Sequence, residues 1–424
     1  MRRTYRPVIW LALLLLAAGA SRAADPAGHA NKLGAARWHA AGYRGHGVKV
    51  CVLDTDFRGF RDALGESLPR ALHARSFRLD KALEPAGNAH GLRAAQVVHA
   101  LAPEADLLLA NWDSSSPDHF LEAVRWAREK GARIITCSVT HATWSDGDGG
   151  GPAHRRLQQL LGRGDRPGDP LFFCSAGNMA PGHWSGPFAP GQESFHDWAP
   201  GQPDNWLTPY GGEKVKVSLV HKPGCVYEVL AYEGSSPEPI ARRTSGSDEG
   251  LVGPTFSFTP ARGQRYRLRV QVVSGKPGTF HVVARHASLQ VSSPEDSVCC
   301  FPADNASVVT VGAADWSGGR RDYSAVGRVK PELAAPVPFP CPGKENGFGG
   351  TSAAAPQAAA LAALLAERHP SWTAKQLREA LLASARPSGL AHLSPPDGRA
   401  AVMLAARGSR RPTARAGTAG RAGR

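Results

Sequence analysis

The chain has no uninterrupted apolar run longer than the thirteen residues from 8 to 20, whereas a helix needs about twenty to cross a bilayer. A membrane-spanning helix is therefore not expected. That run follows Arg2, Arg3 and Arg6 and leads into Ser21-Arg22-Ala23, the pattern of a secretory signal cut after Ala23. A retained interfacial anchor is the alternative. No cysteine follows the run, which argues against a lipid anchor. Acids are absent at both ends: residues 1–23 hold four arginines and residues 407–424 hold six, neither with an acid. Setting these arginines aside lowers the formal charge from +14 to +4 over residues 24–406. The folded part is thus only mildly basic, and no nucleic-acid partner is expected. The tail at 407–424, mostly Gly, Ala, Pro, Thr and Arg, cannot bury a core and reads as a disordered, solvated end.

Zinc-type spacing is missing too. There are seven cysteines, an odd number for an exported chain, and no Cys-x-x-Cys or Cys/His spacing, so no metal site is expected. Cys51, Cys137 and Cys174 lie inside apolar runs, where a thiol acts as a small hydrophobe. Cys225, Cys299, Cys300 and Cys341 are the candidates for bridges, with no pairing assigned.

From residue 36 onward, short apolar runs alternate with helical stretches. Residues 48–55, 106–111, 133–138 and 171–176 read as strands buried on both faces, and residues 90–101 and 118–130 as helices. That alternation implies an α/β fold with a doubly wound parallel sheet. Over 198–295 the pattern changes to alternating or β-branched runs broken by Gly, Pro and Ser, as in an all-β sandwich. The α/β style resumes at 308–313 and ends in two helices, near 353–367 and after Thr373. Thr373 with Gln376 is a capping box. The expected organisation is a signal at 1–23, a first α/β part at 24–197, an inserted sandwich at 198–295, a second α/β part at 296–406 and the tail at 407–424.

Three segments carry chemistry. The string Gly350-Thr351-Ser352-Ala353-Ala354-Ala355-Pro356 puts a hydroxyl at the mouth of an alanine-rich helix, beside its unpaired N–H groups. Asp54 closes the first buried strand, and His90-Gly91 opens a helix. A fourth segment, Ser175-Ala176-Gly177-Asn178, ends a strand in a side-chain amide. A carboxylate, an imidazole and an alcohol in this set suit acyl transfer, with amides for the oxyanion.

Residues 36–190 and 300–390 resemble the subtilisin-like serine peptidases, in which the chain order is Asp, His, Ser. The resemblance implies Ser352 as nucleophile, His90 as general base, Asp54 as its orienting acid and Asn178 in the oxyanion hole. It implies Ser138, Val139, Thr140, Ser175, Ala176 and Gly177 as the substrate-binding segments, with a protein or peptide as substrate. No cofactor is required. Asp56 is the alternative acid, and His99 reads as structural. A closer pattern, including His183-Trp184 and a β-rich insert before the serine, is similar to a divergent exported bacterial group of the family.

The departures are Asp56 where the family has Gly, Leu92 and Arg93 after His-Gly, Gln357 where His is common, and bulkier residues at 138–141, which suggest a narrowed cleft. The stretch between Ala23 and the first strand is about 24 residues, too short for the family's N-terminal inhibitory domain. Asp146-Gly147-Asp148-Gly149-Gly150-Gly151 could hold structural calcium, but it lacks regularly spaced oxygen ligands and reads as a polar loop. The expectation is a secreted or periplasmic, monomeric serine endopeptidase. The alternatives are an impaired enzyme that binds through its sandwich, and a related peptidase with Glu as base.

Overall fold

The structure, a computed structural model, describes residues 25–87, 89–245 and 253–385 and the backbone of 404–405. The expected signal and tail lie outside the described residues. Seven strands form one parallel sheet: β1 (Lys49–Asp54), β2 (His73–Phe77), β3 (Asp106–Trp112), β4 (Ile134–Cys137), β5 (Leu171–Ser175), then β15 (Val309–Ala314) and β16 (Leu333–Pro336) after the insert. Their order across the sheet is β2-β3-β1-β4-β5-β15-β16. Residues 404–405 add a short antiparallel edge to β16.

Strand alternation divides the core in two. Val50 and Val52 of β1 and Leu107 and Leu109 of β3 face α3 (His90–Leu101) and α6 (Thr351–Arg368). Cys51, Leu53, Leu108 and Ala110 point the other way, onto α4 (Pro117–Glu129) and α5 (Pro152–Leu161). Burial on both sides explains the continuous apolar reading of these strands. Every residue of α6 from Thr351 to Ala366 is buried. Alanine suits that position, since a small side chain lets the helix lie close to both the sheet and α3. The following α7 (Ala374–Ser384) begins with the expected capping box on Thr373 and Gln376.

The insert is an antiparallel sandwich of two sheets packed on a core that includes Trp184, Leu207, Val217, Tyr227, Leu268 and Phe280. One sheet contains β6 (His183–Pro187), β8 (Val215–His221), β11 (Thr255–Phe258) and β13 (Thr279–Arg285). Because β6 pairs with β13, the sandwich starts near residue 183, upstream of the expected boundary at 198. The four candidate cysteines form no bridge: all seven cysteines are free and buried, and the Cys299 and Cys300 sulfurs are 4.0 Å apart.

Arg133, just before β4, locks the far end of α6. Its guanidinium donates to the carbonyls of Ala366 (2.8 Å), His369 (3.1 Å) and Trp372 (2.6 Å); the first lies in the last turn of α6, where Pro370 supplies no N–H to it. Arg133→Met would strand these half-buried carbonyls and lower stability by roughly 2–4 kcal/mol, read from the urea unfolding midpoint. An unchanged midpoint would show that the contact contributes nothing.

Candidate active site

Parallel strands all end at one rim, so Asp54, the segment after β4 and the segment after β5 meet there. Asp54 has no solvent exposure. Its Oδ1 accepts the Thr55 N–H at 2.8 Å, and its Oδ2 lies 2.8 Å from His90 Nδ1. A buried carboxylate needs such partners. The contact also puts the ring proton on Nδ1, which leaves Nε2 as the basic nitrogen of His90. Gly91 is required for this fit: a Cβ there would lie 2.2 Å from the Asp56 carbonyl oxygen and 2.7 Å from the Asp54 Cβ. The His-Gly pair, weak as a motif, is therefore a packing constraint on the acid–imidazole contact.

The ring of His90 meets the edge of Phe348, with centroids 5.3 Å apart. Phe348 belongs to the hairpin of β17 (Phe339–Cys341) and β18 (Lys344–Phe348). Arg93 Nη1 donates to Pro342 in that hairpin at 3.1 Å, so this departure from the family pattern fixes the loop beside the imidazole. His99 lies away from the cleft, in a separate depression with His39 and Gln96.

Ser352 is the second residue of α6 and is 9% exposed. Four residues on stands Pro356, which has no N–H to close the helical bond to the Ser352 carbonyl. The Ser138 hydroxyl donates to that carbonyl instead, at 2.8 Å. The Ser352 hydroxyl in turn donates to the Ser138 carbonyl at 3.2 Å. The proline of the motif thus couples the serine to the segment after β4.

Asn178 is oriented from one end. Its Oδ1 accepts the Thr351 N–H at 2.9 Å and the Thr351 hydroxyl at 3.0 Å. That hydroxyl accepts the Gly177 N–H at 3.0 Å. With the oxygen occupied, the Nδ2 hydrogens are left to face outward. Gly350, at φ 73°, lets the chain pass close, since a Cβ there would come within 2.7 Å of Nδ2. Thr351 had no expected role; its signal was its place between Gly350 and Ser352.

One cleft of about 350 Å³ collects His90, Ser352, Asn178 and Thr351 with Ser138, Val139, Thr140, Ser175, Gly177 and Met179. Ala176 does not line it. It is buried beneath, against residues such as Met179, Cys299 and Cys300. Arg285 and His286 of the insert do line the cleft, and no motif marked them. Arg285 Nη2 donates to the Thr140 carbonyl and, at 3.1 Å, to its hydroxyl. His286 holds a left-handed φ of 61°, a conformation that costs a non-glycine residue about 1 kcal/mol or more. The narrowing expected from residues 138–141 thus includes a side chain from the other domain.

The carboxylates of the Asp146 loop are partly engaged within the protein. Asp146 Oδ1 accepts the N–H groups of Asp148 and Gly150 at 3.0 and 2.9 Å, and Asp148 pairs with Lys222 at 2.7 Å. One oxygen of each carboxylate is thus taken up by the protein itself.

A family model described as "Subtilase family" matches residues 45–210 and 264–411. This chain belongs to the subtilase family. It is similar to subtilisin NAT of Bacillus subtilis subsp. natto, 37% identical over 107 residues, or 24% of this chain and 28% of that protein. It is also similar to alkaline elastase YaB of a Bacillus species, 36% identical over 85 residues, or 19% of this chain and 22% of that protein. The matched stretch therefore spans about a quarter of these relatives. The CspB protease of Clostridium perfringens shares the fold, with a TM-score of 0.58 at 15% identity, over 84% of this chain and 91% of that one.

The subtilase site carries an added acid. Burial and the neighbouring Asp54 charge push the Asp56 carboxyl up to about 6. For His90, burial disfavours the imidazolium, but attraction and hydrogen bonding from Asp54, helped by Asp56, more than offset it and raise its pKa. Above pH 6 Asp56 is ionised and helps to hold the proton on His90. NMR titration is expected to place the His90 imidazole above its ordinary 6.5, and Asp56→Asn is expected to lower it. A rise in that variant would contradict the arrangement.

Proposed function

We propose that this subtilase is an exported serine endopeptidase acting on proteins or peptides, through the triad Asp54, His90 and Ser352. The observation that carries the reading is the 2.8 Å Asp54–His90 contact opening onto the same cleft as Ser352 and Asn178. The Ser352 hydroxyl turns from the Ser138 carbonyl to His90 Nε2, which takes its proton as Oγ attacks the substrate carbonyl, and Asp54 stabilises the resulting imidazolium. Asn178 Nδ2 and the Ser352 N–H, near the positive end of α6, receive the oxyanion. His90 then passes its proton to the leaving amine, and water releases the acyl group by the same route in reverse. His90, Ser352 and Asn178 in one cleft, with Asp54 buried behind His90, favour this over a binding role for an inactive scaffold.

The test is labelling with a fluorophosphonate, followed by peptide mapping. Ser352 is expected to carry the label. Ser352→Ala is expected to lose both label and activity with an unchanged far-UV circular dichroism spectrum. Asn178→Ala is expected to lower kcat by about 10²–10³-fold. Absence of labelling, together with no cleavage across a broad peptide library, would contradict the proposal.

Arg285 sets a preference within this reading. Among the described residues its guanidinium makes no ion pair, and it lines the cleft beside the substrate-binding segments. Peptides presenting Glu or Asp to it are expected to be cleaved with a kcat/KM roughly tenfold above their amide counterparts, about the worth of one charge-assisted hydrogen bond. Arg285→Gln is expected to remove that difference, and its persistence would exclude Arg285 as the determinant.

A further inference from the structure

A second cluster of reactive side chains lies away from the cleft. His183 of β6, His281 of β13 and Cys299, in the segment returning to the parallel sheet, each offer a donor atom, and these atoms lie within 4.8 Å of one another. All three residues are buried, at 0%, 4% and 0% exposure. His183 Nε2 and His281 Nδ1 lie 3.0 Å apart. Two nitrogens on one tetrahedral zinc ion stand about 3.3 Å apart, given Zn–N distances near 2.0 Å. The arrangement is therefore close to what such an ion would hold.

The surroundings orient the donors. His183 Nδ1 lies 2.9 Å from the Ser293 carbonyl. A carbonyl only accepts, so Nδ1 carries the proton and Nε2 turns a bare lone pair toward the cluster. This is the outer-shell contact that fixes ligand imidazoles in metal sites. The His281 ring rests on Gly147, where a Cβ would come within 2.4 Å of it, so its position is also set by packing. A thiol with two imidazoles suits a borderline-soft divalent ion.

The geometry points to a zinc site formed by His183, His281 and Cys299. No sequence spacing announced it, because its ligands lie far apart along the chain: 98 residues separate the histidines, and the cysteine comes only after the sandwich ends. Its place gives it a role. Cys299 shares a buried cluster with Ala176 and Met179, directly under the oxyanion segment, while the two histidines belong to the sandwich. An ion there would tie the insert to the catalytic domain. It would also pin β13, whose last residue is Arg285 in the cleft. Zinc binding would release the Cys299 proton to solvent, since the thiolate is the ligand.

The full chain, stripped with chelator and titrated with Co²⁺ as a visible substitute, provides the test. One equivalent is expected to bind with a thiolate-to-cobalt charge-transfer absorption, and Zn²⁺ is expected to abolish it by displacement. Cys299→Ser is expected to remove that absorption. Cys300→Ser, which alters the adjacent thiol outside the cluster, is expected to keep it. His281→Gln is expected to weaken binding by at least about tenfold. A folded wild-type chain that shows no charge-transfer absorption overturns the inference, as does loss in Cys300→Ser with retention in Cys299→Ser. Should Cys299→Ser fail to fold, the wild-type and Cys300→Ser spectra decide alone. Peptidase activity plays no part in the readout, so the outcome is independent of the proposed function.

Discussion

The site depends on one carboxylate kept out of water. Asp54 sits at the end of a strand covered on both faces, with two short hydrogen bonds. A lone carboxylate there would be costly to bury, and its partners turn that cost into positional precision. The Thr55 amide fixes one oxygen, and the other oxygen fixes the His90 ring. Gly91 then becomes obligatory, because nothing larger fits between α3 and the end of β1.

Opposite, α6 enforces the same order by other means. Its alanines allow a buried helix, its proline frees the Ser352 carbonyl for Ser138, and Thr351 turns Asn178. The functional groups therefore stand on rigid elements, as a preorganised site requires. The sandwich completes the cleft through the end of β13, where Arg285 meets Thr140, and through His286 just after it. The insert thus forms part of the cleft wall.

Much of this was legible in the residues. The parallel strands read clearly because both faces are apolar, and α3 spans the 90–101 predicted for it. The half-exposed edge strand β2 and the strongly amphipathic α5 were missed, since neither shows a long apolar run. The insert was placed too late because His183-Trp184 was read as part of a motif instead of as the start of a strand. Cleft residues after β4 and β5 were found by position, yet Ala176 turned inward, as alternation along an extended segment allows. Arg285, His286 and the His183–His281–Cys299 cluster were beyond sequence reading. Each depends on how the sandwich docks, and no local spacing records that.

The most direct measurement is a crystal structure of the chain after reaction with a peptidyl phosphonate. The account requires phosphorus bonded to Ser352 Oγ, a phosphonyl oxygen within hydrogen-bond distance of Asn178 Nδ2, and His90 still bonded to Asp54. A folded chain with the phosphonate bonded elsewhere, or with Asn178 turned away from a Ser352 adduct, would contradict it.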